Sequence, residues 1–273
     1  MDGFEVFVLL ISITVTVLFF IKWYGPVFRI WTPKRGKSAK IILGFLPLAV
    51  FLMVLTTLLI LASGDVINDY FFIFFYIMIG FAWLYACLLL FYFFFDFSVR
   101  EDVISLSNTS ALFAIIGSVL GITLVYCGAN IGDGPGWWCV FFAGGLGMIL
   151  WFVLILISNK TARIFERVTV EKDTACGIRF CFYLIAAGLV LARASGGDWT
   201  SFYMTVIEFL DGWPVLPLTG LFILTERYFI SKAKNTDEDK NYIMISVMWG
   251  AVLLLLSILS VATLPPLKIH TLF

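Results

Sequence analysis

Eight runs of about 20 apolar residues constrain this chain more than any other feature, because at ~1.5 Å per helical residue each is long enough to cross a hydrocarbon core of ~30 Å. They cover residues 4–22, 39–62, 70–95, 108–127, 137–157 and 174–194, a broken segment over 199–230, and 241–263. Stretches such as 71–95 are apolar on every face. That suits a helix surrounded by lipid or other helices, whereas a membrane β-strand alternates between lipid and lumen. Only 13% of residues are charged, about half the share in a soluble domain (~25%), and no polar stretch is long enough to fold separately. The expected fold is all-α: a polytopic membrane helix bundle of about eight transmembrane helices forming a single domain over 1–273. The amino terminus lacks the positive start of a secretory signal, so the first span is expected to be retained.

Orientation follows from basic residues in short loops. Lys22, Arg29, Lys34, Arg35, Lys37 and Lys40 lie around the first loop, and Arg100 lies in the third. Lys160, Arg163, Arg167 and Lys172 lie around the fifth, and Arg227, Lys232, Lys234 and Lys240 around the seventh. Odd-numbered loops are therefore expected in the cytoplasm, with both termini outside. Trp23 and Trp31 on one side, and Trp137, Trp138, Trp199 and Trp213 on the other, fit two interfacial belts. Topology accounts for the basic residues, so a nucleic-acid partner is not expected.

An internal repeat is the most informative local feature. The even-numbered loops carry Ser63-Gly64-Asp65, Ile131-Gly132-Asp133 and Gly196-Gly197-Asp198. The odd-numbered loops place acidic residues ahead of an Asn or Asp that opens the next span: Glu101-Asp102 before Asn108, Glu171 before Asp173, and Asp237-Glu238-Asp239 before Asn241. Asn or Asp there can N-cap a helix, and the Gly-Asp pairs, with Asp65, Asp133 and Asp198, can turn the chain back. Each unit is then a helical hairpin, and two crossings return the chain to the same side, so the hairpins repeat in parallel.

The stretch Ser107-Asn108-Thr109-Ser110-Ala111 and the later Glu171-Lys172-Asp173-Thr174-Ala175-Cys176-Gly177 resemble the paired signatures of the YjfL-like family of small bacterial inner-membrane proteins, a domain of unknown function. The second copy has Asp173 where the family form has Asn. The resemblance implies a four-helix core with two repeats over about 70–200, flanked by helix pairs at 1–69 and 201–273. It also implies a bacterial inner-membrane location and a genomic link to envelope-stress and polyamine-related proteins. It carries no catalytic residues.

Charges inside spans are candidate functional groups, since each costs at least ~2.5–3.5 kcal/mol at the bilayer centre. Arg179 and Arg193 fall in the sixth span, and Glu208 and Asp211 in the broken seventh. Arg179 is six residues beyond Asp173, ~9 Å by helical rise, within snorkelling reach of the interface. Asp211-Gly212-Trp213-Pro214 reads as a helix start, which leaves 199–210 as a short interfacial helix and both acids at the outer mouth.

Small residues cluster at Gly117 and Gly121, at 143–147 and at 186–188, for packing within the chain or at a homo-oligomeric contact. His270 is the only histidine, and the five cysteines have no zinc spacing, so no metal or other cofactor and no enzyme activity are expected. Cys127 and Cys139 flank one loop and are candidates for a disulfide. Two functions fit: a small-solute or ion transporter or channel, or a non-transporting scaffold that docks cytoplasmic or membrane protein partners on its charged loops. In both, the lipid bilayer is the primary partner.

Overall fold

In the computed structural model, residues 3–30, 37–233 and 239–267 are described, with side chains omitted at 233 and 239–241. Trp31, Lys34, Arg35, Lys234, Asp237, Glu238, Lys268 and His270 lie outside the described residues. The helices are α1 (Gly3–Arg29), α2 (Lys37–Ile60), α3 (Gly64–Ile67), α4 (Tyr70–Phe95), α5 (Thr109–Ala129), α6 (Trp137–Ala162), α7 (Ile164–Thr169), α8 (Thr174–Ser195), α9 (Phe202–Phe209), α10 (Val215–Ala233) and α11 (Asp239–Thr263). A π-helical turn, Val99–Ser105, precedes α5, and a 3-10 turn, Leu210–Gly212, links α9 to α10. Eight segments are long and apolar enough to span a bilayer, so the chain is a multi-pass membrane protein. The seventh of them is broken after Phe209, as the Asp-Gly-Trp-Pro stretch implies, although α10 begins only at Val215, with Pro217 in its first turn.

The first helix outruns its expected end at residue 22 and continues through Pro26 to Arg29. Its extra turns are anchored on α2: Trp23 is buried and its Nε1 donates to Leu43 O at 2.9 Å, and Tyr24 Oη donates to Gly44 O at 2.9 Å. Trp23 thus packs one helix on the other.

The first turns of α5 and α8 match atom for atom. Asn108 Oδ1 accepts from Ala111 N at 3.2 Å, and Asp173 Oδ1 accepts from Cys176 N at 2.9 Å. Ahead of the caps, Ser107 and Lys172 both take left-handed backbone, at φ 50° and 55°. Asn108 N donates to Asp102 O at 3.0 Å, and Asp173 N to Arg167 O at 2.9 Å. These two helix starts also touch: Asn108 Nδ2 donates to Val168 O at 2.8 Å and Ser110 Oγ to Asp173 O at 2.6 Å.

Beyond these caps α5 and α8 run side by side in the same direction, and they form the centre of the bundle. Gly117 meets Cys181, Gly121 meets Leu184, and Gly128 meets Ala192, so contacts advance together along both helices. The approach is backbone to backbone. A methyl group on Gly121 would lie 2.7 Å from Leu184 O, and one on Gly128 only 2.1 Å from Ala192 O. Small residues permit such an approach where lipid gives helices no hydrophobic drive to associate. Gly117 and Gly121 are therefore spent within the chain. Gly250 of α11 similarly admits the Phe182 ring of α8.

At the end opposite the basic loops, three turns are stitched together. Gly132 N donates to Leu61 O at 3.3 Å, Gly197 N to Ile131 O at 2.9 Å, and Trp199 N to Asp133 O at 2.7 Å. Gly132 and Gly197 both need φ near the left-handed region, at 104° and 136°. The first Gly-Asp copy behaves differently: Gly64 and Asp65 begin the short helix α3 instead of a left-handed turn.

Candidate functional site

Arg179 lies on the second turn of α8 and is 1% exposed. Its charge is met inside the bundle by Glu226 of α10, itself 0% exposed. Arg179 Nε donates to Glu226 Oε1 at 2.5 Å and Nη2 to Oε2 at 2.9 Å, a two-pronged pair that a planar guanidinium suits. Nη1 donates to Ser246 Oγ of α11 at 2.5 Å, and the guanidinium carbon sits 4.1 Å over the Phe229 ring. Three spans thus converge on one cation.

The pair continues towards the basic-loop end. Arg167, carried by the short helix α7, is 7% exposed and donates from Nη1 to Glu226 Oε2 and from Nη2 to Asp173 Oδ2, both at 2.6 Å. Burial opposes its charge, but the fields of its neighbours, Cys176, Glu226 and Asp173, together outweigh burial and hold the Arg167 pKa above its usual value. Asp173 therefore has two jobs: one oxygen caps α8 and the other holds Arg167. The result is a chain of alternating charge, Asp173, Arg167, Glu226 and Arg179, with no net charge. Arg167, Glu226 and Arg179 are buried, so the network is costly unless its charges stay paired.

A cavity of about 500 Å³ opens beside it, lined among others by Arg167, Lys172, Asp173, Arg179, Phe229 and Tyr242. Three members of the network, Arg167, Asp173 and Arg179, thus border open space. Among the described residues no cluster of His, Cys, Asp and Glu could hold a metal ion. All five cysteines are free and buried, so Cys127 and Cys139 are not joined.

The other candidate residues lie at the opposite end, and none of them meets Arg179. Arg193 sits in the last turn of α8, donates to Pro265 O, and feels the field of Asp211 in the 3-10 turn. Glu208 of α9 lines a tight recess of about 60 Å³, together with Asp133 and Asp198. Asp133 N donates to Asp198 Oδ1 at 2.8 Å, and Asp65 lines a neighbouring cleft with Asp133.

Glu226 and Arg167 are the members of the network that hydropathy and charge alone do not single out. Glu226 falls near the expected end of the seventh span and beside Arg227, so the pair reads as a loop edge. Its signal is the helical stripe Thr219, Phe222, Glu226 and Phe229, all buried on one face of α10. Arg167 is lost among the loop cations that set topology. No family model, curated protein or solved structure matches this chain.

Proposed function

We propose that the protein moves a small polar solute or ion across a bacterial inner membrane, with both termini outside and the 500 Å³ cavity as its cytoplasmic vestibule. The carrying observation is the buried Arg179–Glu226 pair, which joins α8 to α10 and whose Arg179 lines the cavity. Keeping Arg167, Glu226 and Arg179 buried is costly, and an uncharged core would hold these helices as well or better. A solute that exchanges partners with the network gives that cost a use.

Two further readings rest on the same geometry. The matched caps at Asn108 and Asp173 support parallel hairpin repeats and the YjfL-like resemblance. The tight glycine packing of α5 on α8 supports a rigid core at the centre of the bundle. The alternative is a non-transporting scaffold, in which the network only fixes the loops that dock partners. Neither alternative calls for catalysis.

The test is solute protection. Thr174 lines the vestibule. In inside-out vesicles of a variant lacking native cysteines, Thr174→Cys should react with an impermeant thiol reagent. A solute found by screening cations, anions and polyamines should slow that reaction. Free labelling with no protection by any class would favour the scaffold.

A further inference from the structure

The vestibule is not isolated. Phe229 is shared with a second cavity, of about 540 Å³, whose other walls include Leu221, Thr225, Tyr228, Ile245, Met248 and Val252. Leu221 is shared in turn with a third, of about 450 Å³, that includes Pro217, Leu218 and Leu256. Together they trace one groove between α10 and α11, along nearly the full length of both helices. The groove exists because α11 is held by α8, through Gly250 against Phe182, while α10 packs towards α6 and α8.

The groove changes chemistry along its length. Its mouth carries Lys172, Arg167, Glu171 and Asp173 and the first residues of α8, Thr174 and Ala175. Below the mouth it is apolar. The Thr225 hydroxyl is turned back on its own helix, donating to Leu221 O at 2.7 Å. Several wall residues are exposed: Tyr228, Ile245, Met248 and Val252. In a bilayer these face acyl chains and not water.

The dimensions match one leaflet. From Tyr242 at the mouth to Val252 is ten residues, a rise of ~15 Å, half of a ~30 Å hydrocarbon core. We infer that the groove between α10 and α11 binds one glycerophospholipid of the leaflet at the basic-loop end, its phosphate at Lys172 and an acyl chain along Phe229, Met248 and Val252. Two features select this occupant. The apolar walls open laterally to lipid, which a water-soluble ligand does not use. The mouth supplies an exposed cation, Lys172, favourable to a lipid phosphate. Lys172 is the cation a phosphate can reach: Arg167 and Arg179 are committed to carboxylates, whereas Lys172 is exposed beside the opening. This site does not depend on transport, and a resident lipid is equally compatible with a scaffold.

The experiment uses the full chain in lipid nanodiscs containing a phospholipid with a photoreactive group on its acyl chain. Crosslinks are mapped by mass spectrometry. Labelling should concentrate on Leu221, Phe229, Met248 and Val252, several-fold over exposed residues elsewhere such as Phe45 and Phe93. Met248→Trp, which narrows the groove at an exposed position, should cut groove labelling several-fold, while Leu259→Trp on another part of α11 should not. Lys172→Glu should lower labelling by the phospholipid but not by a diacylglycerol carrying the same reactive chain. Even labelling over all lipid-facing helices, or diacylglycerol labelling the groove as well as phospholipid does, would overturn the inference. Each variant is read against wild-type thermal stability, so that misfolding is seen directly.

Discussion

Glu226 of α10 takes both of its hydrogen-bonding prongs from Arg179 of α8, at 2.5 and 2.9 Å, in a place neither side chain shares with solvent. The strength of that relationship lies in how costly it is to break. Removing one member leaves a buried charge uncompensated, at ~3–5 kcal/mol, whereas replacing both with apolar groups is neutral or even stabilising by ~1–4 kcal/mol. Glu226→Ala should therefore lower thermal stability in detergent sharply. Arg179→Met with Glu226→Leu should restore it, because Arg167 keeps Asp173 as its partner. A double variant as unstable as the single one would show that packing around the pair, and not its charge, sets the stability.

The centre of the bundle makes a second, steric prediction. Gly128→Ala would place a methyl group 2.1 Å from Ala192 O, so α5 and α8 must separate. Overpacking of this kind costs ~1–3 kcal/mol or more. Gly44→Ala and Gly220→Ala meet nothing within 4 Å and should be neutral or slightly stabilising, by up to ~1 kcal/mol, because alanine gives up less backbone freedom in a helix. Unfolding of the three variants under one condition separates the two effects, and equal stability would refute the close packing.

At the far end, Asp198 Oδ1 accepts the Asp133 N–H at 2.8 Å. Asn keeps that oxygen, so Asp198→Asn should be nearly silent, as should Asp133→Asn and Asp65→Asn. Asp198→Ala takes this acceptor away from the Asp133 N–H and should cost ~1 kcal/mol or somewhat more. Loss of function from Asp133→Asn, with normal folding, would show that the carboxylate itself binds something.

Topology is tested by labelling intact cells. In a background without the native cysteines, cysteines at Lys37 and Lys160 should be protected from an impermeant thiol reagent, and one at Gly134 should react. Labelling at Lys160 from outside would reverse the proposed orientation.

Much of this architecture is legible in the amino-acid sequence because the bilayer makes length and hydropathy decisive. The run 70–95 coincides with α4, and the caps at Asn108 and Asp173 stand where side-chain chemistry predicts them. What hydropathy does not show is which faces meet. Arg179 stands out as a charge in a span, but its partner lies 47 residues away on a helix whose acid resembles a loop edge. Arg167 looks like one more topogenic cation until α7 folds it under the bundle. Trp23 reads as a belt residue, and only the fold shows its N–H reaching Leu43 O. In each case long-range packing decides the role, and it leaves no local pattern to read.

The central claim is that the ionic network serves a moving solute. The most direct measurement is flux into reconstituted vesicles, comparing unmodified protein with the Arg179→Met, Glu226→Leu double variant and screening cations, anions and polyamines. Because the double variant should stay folded, stability and activity separate on the same purified samples. The account predicts flux of one solute class by the unmodified protein and none by the folded double variant. No flux by the unmodified protein, or equal flux by the double variant, would contradict it.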